Sequence, residues 1–215
     1  GDVYKRQELD DDHSLNSLRS IAYGGGKMPL PVIQKALSQF PGVNFTNAYG
    51  LTETSSTITL LGPEDHRDAQ SADDDAAKVR LGSVGKALPS VEIEIRDKEG
   101  NTLGADEAGE IYVRGPQVSG EYEGRNVLDK DGWFPTRDAG YLDDGGYLFL
   151  SGRADDVIVR GGENISPGEI EDLLHEHPAV ADVAAVGIPS EEWGETIVLS
   201  MVLKDDHDFS QEAIC

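Results

Sequence analysis

Residues 18–45 read LRSIAYGGGKMPLPVIQKALSQFPGVNF, and this stretch decides the fold. The short apolar run Leu18–Tyr23 is typical of a strand and ends in three glycines. Apolar residues then recur at helical spacing through Pro31–Phe40, and Pro41-Gly42 is a helix stop. Val43–Phe45 is the next strand candidate. A strand, loop, helix and strand in this order predict a right-handed βαβ unit with parallel strands.

The following segment, residues 47–54, reads Asn-Ala-Tyr-Gly-Leu-Thr-Glu-Thr and combines groups that suit a nucleoside triphosphate. Tyr49 offers a flat ring for a base, and Gly50 lets the backbone approach a ligand closely. Thr52 can hydrogen-bond a phosphate oxygen, and Glu53 can hold Mg²⁺, which prefers carboxylate and phosphate oxygens. Open α/β sheets bind ligands outside the carboxyl ends of their strands, so the glycine loop and this segment, read as a second loop, predict one site.

Downstream the sequence pattern changes. Gly62–Lys78 is polar and rich in aspartate, and we expect it to be a surface loop. Val91–Ile95 alternates apolar and charged residues, and Gly109–Arg114 is a further strand candidate. Tyr141–Leu150 is expected to fold back on itself around a turn. These segments predict a small antiparallel β subdomain packed beside the α/β part.

After the β subdomain the composition shifts again. Val157–Val159 is a strand candidate that Gly161-Gly162 interrupts. Ser166–Glu169 matches a capping box with proline at the first helical position, so a helix should start there. Two more strand candidates, Val183–Ile188 and Thr196–Leu203, follow. This part is typical of the beginning of a small α+β domain.

The composition bounds the partners and the compartment. A net charge of −23, from 41 acidic and 18 basic residues, argues against nucleic acid as a partner. Cys215 is the only cysteine, which excludes an intramolecular disulfide. No signal peptide or apolar run of transmembrane length is recognisable, so we expect a cytoplasmic protein without a transmembrane segment.

Several blocks together resemble the adenylate-forming superfamily, which comprises acyl-CoA synthetases, adenylation domains of peptide synthetases and luciferases. In chain order the blocks are Tyr23–Gly26, Tyr49–Glu53, Gly132–Asp138, Gly152–Asp156 and Gly161–Ile165. The resemblance runs from about Leu18 to the end of the chain, in the family's order. It implies that a carboxylic acid attacks the α-phosphate of ATP, giving an acyl-adenylate and pyrophosphate. The thiol of coenzyme A, or of a carrier protein's pantetheine, then displaces AMP.

The resemblance also implies roles for individual residues. Thr52 and Glu53 would be catalytic, with Glu53 as the Mg²⁺ ligand, and Asp155 would be the hinge between the domains. Asp138 would accept both ribose hydroxyls. The implied contacts with ATP, AMP or coenzyme A are Gly24, Gly25, Gly26, Asn47, Tyr49, Gly50, Thr52, Asp138, Arg153, Gly161 and Gly162.

The family's architecture predicts an α/β fold: the end of a large α/β domain with a small antiparallel β subdomain, then an incomplete small α+β C-terminal domain. Residues 1–17 are a poorly defined N-terminal segment. Residues 18–152 are the C-terminal part of the large AMP-binding domain, with the βαβ nucleotide site to about 62 and the β subdomain at about 82–150. Residues 153–215 are the hinge and part of the C-terminal domain.

Two kinds of departure from the family pattern accompany these expectations. Lys27 stands where the family usually has a small residue, and Arg137 stands where glycine is commoner. The family's upstream phosphate loop and its C-terminal catalytic lysine are missing from the sequence, so we expect an internal-to-C-terminal fragment. The leading interpretation is an AMP-forming CoA ligase for a fatty, aryl or other carboxylic acid. The alternatives are an adenylation domain that charges a carrier protein and a catalytically silent nucleotide-binding fragment.

Overall fold

The computed structural model describes residues 15, 17–26, 28–71, 78–119, 121–122, 125–161, 163–175, 177–190 and 192–204. Within these residues the chain forms three four-stranded sheets and a two-stranded ribbon. Helices accompany the first and third sheets. The mixed α/β class and the antiparallel character of the middle part are as predicted.

The first sheet has the strand order β1-β2-β3-β4. β1 (Ser20–Gly24) and β2 (Asn44–Leu51) are parallel neighbours connected through α1 (Leu30–Gln39). This arrangement confirms the predicted parallel βαβ unit. β3 (Ser56–Leu61) runs antiparallel to β2, and β4 (Lys86–Ala87) runs antiparallel to β3.

The end of β2 differs from the sequence prediction. Residues 49–51 were expected in a loop, but they lie inside the strand, and only Thr52–Thr54 forms a 3-10 turn. The reason is the antiparallel neighbour β3, in which Thr59 pairs with Tyr49 and Ser56 with Leu51. This second ladder continues the strand beyond the point where its pairing with β1 ends.

The predicted loop Gly62–Lys78 was wrong over its first half, which forms α2 (Pro63–Ser71). Residues 72–77 lie outside the described part. The helix buries His66 and Ala69, which are three positions apart and therefore share one face. Histidine is not counted as an apolar residue. A helix whose buried face includes His66 therefore shows no helical spacing of hydrophobic residues in the sequence.

The second sheet is antiparallel throughout and has the order β10-β9-β6-β5. Its strands are β5 (Glu92–Arg96), β6 (Gly109–Arg114), β9 (Phe134–Leu142) and β10 (Leu148–Arg153). The ribbon, inserted between β6 and β9 in the chain, consists of β7 (Glu121–Tyr122) and β8 (Arg125–Asn126).

The first two sheets share one hydrophobic core. Tyr49 and Ile58 of the first sheet pack with Ile95, Ile111 and Leu148 of the second. Ile58, Ile111 and Leu148 are completely buried, and burial of such a side chain is worth about 1.5–3 kcal/mol. This common core fixes the position of β2 relative to β9, the two strands that carry the main predicted site residues.

The third sheet has the order β12-β11-β14-β13. Its strands are β11 (Ile158–Arg160), β12 (Glu163–Ile165), β13 (Val180–Ser190) and β14 (Gly194–Leu203), and α3 (Pro167–His175) lies between β12 and β13 in the chain. The hydroxyl of Ser166 donates a 2.6 Å hydrogen bond to the carbonyl of Ser151, which ties the start of α3 to β10. None of the described helices has the length and apolar composition that crossing a membrane requires.

Candidate functional site

A cleft of about 800 Å³ lies where the first two sheets meet the third. Its walls include residues from β2, from the end of β10 and from the α3–β13 region. The predicted site residues that line it are Gly25, Gly26, Asn47, Tyr49, Gly50, Asp138, Arg153 and Asp155. Segments far apart in sequence are therefore brought together at one place.

One carboxylate in the cleft is held from two sides. Tyr49 Oη donates a 2.6 Å hydrogen bond to Asp138 Oδ2, and Arg153 Nη1 lies 2.9 Å from Asp138 Oδ1. Burial, and then the hydrogen bond to Asp138, raise the pKa of Tyr49 far above its ordinary value, so the phenol remains a donor. A carboxylate oxygen has two lone-pair sites, and each oxygen of Asp138 can therefore still accept a ligand hydroxyl.

The backbone next to Asp138 departs from regular strand geometry. Arg137 has a φ of 60°, in the left-handed region, and the pairing of β6 with β9 shifts register nearby. Thr136 spans the irregularity, because its hydroxyl accepts a 3.1 Å hydrogen bond from the Asp138 N–H and donates a 2.8 Å bond to the Ile111 carbonyl. The bulge in β9, anchored by a buried threonine, sets the direction of the Asp138 side chain.

The left-handed conformation at Arg137 also explains why glycine suits this position in the resembling family. The Arg137 guanidinium forms a 3.3 Å ion pair with Asp155, and both side chains are largely exposed. Asp155 lies in a 3-10 turn, Ala154–Asp156, that connects β10 to β11. This ion pair therefore links the second sheet to the segment that leads into the third.

Thr52 and Glu53 lie in the turn that follows β2 but do not line the cleft. Thr52 is exposed and Glu53 is half-buried. No described residue forms an ion pair or a hydrogen bond with the Glu53 carboxylate. A half-buried carboxylate that has no partner among the described residues fits the role of an oxygen ligand for a hard cation. Among the described residues there is no cluster of three or more potential metal ligands, so the remaining oxygens would come from a ligand or from water.

The glycines at the ends of β1 and β2 permit close backbone contacts. A Cβ on Gly24 would overlap the carbonyl oxygen of Ala48, and a Cβ on Gly50 would overlap that of Ser56. Gly24 thus ends β1 against β2 without lining the cleft, while Gly25 and Gly26 do line it.

Asn47 lines the cleft but its side chain is almost fully buried. Its amide donates a 3.2 Å hydrogen bond to the carbonyl of Ser83. That bond holds β2 against the segment that precedes β4. Asn47 therefore stabilises the wall of the cleft.

The structure places the predicted Gly161 outside the cleft wall, and Gly162 lies outside the described residues. Gly161 has a φ of 62°, and its N–H donates a 2.8 Å hydrogen bond to the carbonyl of Trp193. Within the described residues, Gly161 turns the chain between β11 and β12.

Sequence reasoning missed two acidic residues of the cleft wall, Glu171 on α3 and Glu195 on β14. Glu171 Oε1 accepts a 2.9 Å hydrogen bond from the Ala185 N–H, and Glu195 Oε2 accepts a 2.5 Å bond from the Val159 N–H. Neither residue belongs to a recognisable motif, and single glutamates on a helix or strand are typical of solvated surface. Only the packing of the third sheet places them here.

Comparisons with known proteins identify the family of this chain. The sequence profile described as AMP-binding enzyme matches residues 3–123, more than half of the chain, and the profile described as AMP-binding enzyme C-terminal domain matches residues 169–214. The chain is 43% identical over 192 residues to a 2-succinylbenzoate–CoA ligase of Bacillus velezensis, covering 87% of this chain and 36% of the relative.

Solved structures show the same relationship. An amide bond synthetase from Marinactinospora thermotolerans superimposes with a TM-score of 0.81 at 33% identity, over 94% of this chain and 40% of that one. The O-succinylbenzoate coenzyme A synthetase from Bacillus subtilis, in complex with ATP and magnesium ion, has a TM-score of 0.76 at 36% identity, over 93% and 39%.

The chain thus spans less than half the length of the curated relatives it matches. Within that span, the family profiles, the sequence identities and the superpositions agree. They confirm the resemblance that the motifs predicted: the chain belongs to the AMP-binding enzyme family.

Proposed function

We propose that this chain forms the later part of the large domain and the beginning of the C-terminal domain of an ATP-dependent acid–CoA ligase. The reaction would join a carboxylic acid to AMP, with release of pyrophosphate, and then pass the acyl group to coenzyme A. The observation that carries the proposal is the Tyr49–Asp138–Arg153 arrangement, which presents a fixed carboxylate beside Gly25 and Gly26 in the cleft.

The nucleotide would lie against this arrangement. The Asp138 oxygens, already oriented by Tyr49 and Arg153, have lone pairs for the two ribose hydroxyls. The ring of Tyr49 and the backbone of Gly25 and Gly26 would bound the adenine. The Arg153 side chain is more than half exposed, so its remaining N–H groups can reach ribose or phosphate oxygens.

Thr52 and Glu53 would act at the phosphates. Glu53 would hold Mg²⁺ through its half-buried carboxylate, which has no partner among the described residues. A bound Mg²⁺ supplies positive charge where the phosphate oxygens gain negative charge in the transition state. The exposed Thr52 hydroxyl can donate to one of the same oxygens.

The transfer to a thiol would use the third sheet. We propose the predicted division at residues 152–153 as the domain boundary and Asp155 as the hinge, because the 3-10 turn at Asp155 connects the second sheet to the third. A hinge needs a few residues that absorb the change in backbone dihedral angles. Gly161 and Gly162 would flank the path of the thiol once the hinge has turned.

The names of the relatives narrow the range of carboxylic acids that the proposed enzyme would use. The curated relatives are named as ligases of 2-succinylbenzoate, and one of the similar solved structures is an anthranilate CoA ligase. We therefore propose an aromatic carboxylic acid, with 2-succinylbenzoate as the first to test, in preference to a fatty acid. An amine is the second candidate acceptor, because the amide bond synthetase superimposes with a TM-score of 0.81.

The deciding experiment follows acid-dependent exchange of pyrophosphate into ATP by the full protein that carries this chain. Product analysis with coenzyme A, with an amine and with a pantetheinylated carrier protein follows. Exchange with 2-succinylbenzoate and a CoA thioester product would support the proposal. Exchange with an amide or a carrier-bound product would replace coenzyme A as the acceptor, and an absence of exchange across an acid panel would contradict the ligase assignment.

A further inference from the structure

The loop Gly115–Ser119, which follows β6, packs directly on the turn that carries Glu53. Gln117 Nε2 donates hydrogen bonds to the carbonyls of Thr54, at 3.0 Å, and Thr57, at 2.7 Å. The N–H of Ser119 donates a 2.7 Å bond to the carbonyl of Glu53 itself. Thus the loop that follows β6 bonds to three backbone carbonyls, those of Glu53 and Thr54 in the turn and that of Thr57 at the start of β3.

The turn has a conformation that needs such support. Ser55 and Ser56 have φ angles of 53° and 89°, so two consecutive residues with side chains occupy the left-handed region. The β2–β3 pairing also shifts register between Tyr49 and Gly50. Gln117 bonds to carbonyls on both sides of the two serines and therefore spans the irregular segment.

The chemistry of the amide suits this position. A glutamine NH₂ group carries two hydrogens, and here each faces a backbone carbonyl. A carboxylate of the same size would place an acceptor against two acceptors, and an apolar side chain would leave both carbonyls without this donor. The Ser55 hydroxyl adds a 2.9 Å hydrogen bond to the Gln117 carbonyl, so the contact is reciprocal.

The position of the Glu53 carboxylate depends on these backbone bonds. Thr54 on its C-terminal side is fully buried, and its hydroxyl is bonded within the turn to Leu51 and Ser56. Glu53, in contrast, has no side-chain partner among the described residues. The orientation of the Glu53 carboxylate therefore depends on the backbone of the turn. The contacts from Gln117 and Ser119 connect that turn to the second sheet.

We propose that Gln117 is a positioning residue that holds the Thr52–Thr54 turn so that Glu53 can receive a divalent cation together with the nucleotide phosphates. This role rests on the proposed function of Glu53. Gln117 itself does not line the cleft, and its amide N–H groups bond to the Thr54 and Thr57 carbonyls, so it would act through the turn rather than by contact with the nucleotide or the cation.

The test uses Mn²⁺ as a paramagnetic probe on the isotopically labelled full protein that carries this chain, alone and with ATP. In wild type, substoichiometric Mn²⁺ should broaden the amide signals of residues 52–54 more than those of other acidic surface segments. Glu53→Gln should abolish this selective broadening. Gln117→Met, which keeps the side-chain length without the donors, should reduce it at least fivefold while leaving metal-free AMP affinity within twofold of wild type.

Gln34→Met is the matched control, since Gln34 is exposed on α1 and remote from the turn; it should leave the broadening unchanged. If Gln117→Met does not fold, Gln117→Asn provides the second variant, because it keeps the amide donors without adding charge and shortens the side chain that reaches the Thr54 and Thr57 carbonyls. Urea unfolding of each variant separates loss of the fold from loss of the cation site.

Each outcome decides the matter. Selective broadening that persists in a folded Gln117 variant, or that is missing in wild type, would overturn the positioning role. Gln117-dependent broadening in a chain that binds no AMP would support the positioning role and refute the nucleotide site. Gln117 variants that lose AMP affinity in parallel with the Mn²⁺ effect would show a merely structural role.

Discussion

The phenol of Tyr49 and the carboxylate of Asp138 are joined by a 2.6 Å hydrogen bond between residues 89 positions apart in the chain. The bond connects β2 of the first sheet to β9 of the second, and the shared core around Ile58 and Ile111 sets the distance between the strands. The nucleotide site proposed for this chain therefore depends on how two sheets pack, and each of its parts can be tested separately.

The hydroxyl of Tyr49 should matter more than its ring volume. Tyr49→Phe removes the bond to Asp138 and leaves that carboxylate with Arg153 alone. We expect the free energy of unfolding to fall by about 1–2 kcal/mol and AMP affinity to fall about tenfold, as for loss of a hydrogen bond to a charged group. Urea unfolding and calorimetric titration with AMP measure the two effects.

Tyr112→Phe is the matched control for this change. Tyr112 Oη also bonds to a carboxylate, that of Glu110, but at 3.4 Å on the second sheet away from the cleft. It should leave AMP affinity unchanged. Equal AMP affinities for Tyr49→Phe and wild type would contradict the role assigned to the phenol.

The Asp138 carboxylate should accept hydrogen bonds from the ribose hydroxyls and so distinguish nucleotides that have them from nucleotides that lack them. Wild type should bind AMP about 10- to 100-fold more tightly than 2′,3′-dideoxy-AMP, which lacks both hydroxyls. Asp138→Asn should bind AMP weakly and no longer distinguish the two nucleotides. Arg153→Gln, which removes the ion pair but keeps the carboxylate, should retain the discrimination. A variant at Asp138 that still prefers AMP would place the ribose elsewhere.

The fold could be predicted from the sequence wherever it depends on a pattern among neighbouring residues. The apolar spacing of α1 and the glycines that end β1 predicted the parallel βαβ unit, and the period-two segments predicted the second sheet. The motif residues Tyr49, Asp138 and Arg153 were identified from their neighbours in sequence, and the structure brings Tyr49 and Arg153 within hydrogen-bonding distance of Asp138.

What could not be predicted depends on contacts between distant segments. The strand around Tyr49 continues because β3 pairs with it, and α2 was missed because its buried contact is a histidine held by Tyr23 and by the Gly62 carbonyl. Gln117 gave no signal, since its two acceptors lie about sixty positions away in the chain. The contacts of such residues can be recognised only in the tertiary structure.

Arg137 occupies a backbone conformation that a side chain disfavours. Its φ is 60°, and the left-handed region costs a residue with a Cβ roughly 1–2 kcal/mol relative to glycine. The ion pair with Asp155 offsets little of this cost, because exposed ion pairs contribute about 0–1 kcal/mol to stability. We therefore expect Arg137→Gly to be more stable in urea unfolding than Arg137→Ala by about 1 kcal/mol.

Both Arg137 variants lose the ion pair with Asp155, so their difference isolates the backbone conformation. Unfolding midpoints that are the same for the two variants would contradict the left-handed assignment. If Asp155 is the hinge, both variants should also alter the rate of thioester formation more than that of adenylation in the full protein.

His66 should make stability depend on pH in a specific direction. It is 1% exposed, its Nδ1–H donates a 2.7 Å hydrogen bond to the Gly62 carbonyl, and its Nε2 accepts a 2.8 Å hydrogen bond from the Tyr23 hydroxyl. Burial lowers the pKa of His66 below its ordinary value of 6.5, although the Gly62 bond and the nearby Asp65 oppose this. Burial also raises the pKa of Tyr23 to about 12, so the phenol stays protonated and serves as the donor to a neutral ring.

The unfolded chain therefore binds a proton at His66 more readily than the folded chain does. The stability that depends on neutral His66 is fully present above the unfolded pKa and is lost as pH falls below about 6.5 toward the folded value. Between pH 7.5 and 5.5 we expect wild type to lose about 1 kcal/mol more of its free energy of unfolding than His66→Gln does. Tyr23→Phe removes the hydrogen-bond partner but keeps the buried imidazole, so it should retain the wild-type slope with pH at a lower overall stability. Parallel profiles for wild type and His66→Gln in urea unfolding would show that His66 is protonated equally in the two states, and the buried neutral histidine would then have to be abandoned.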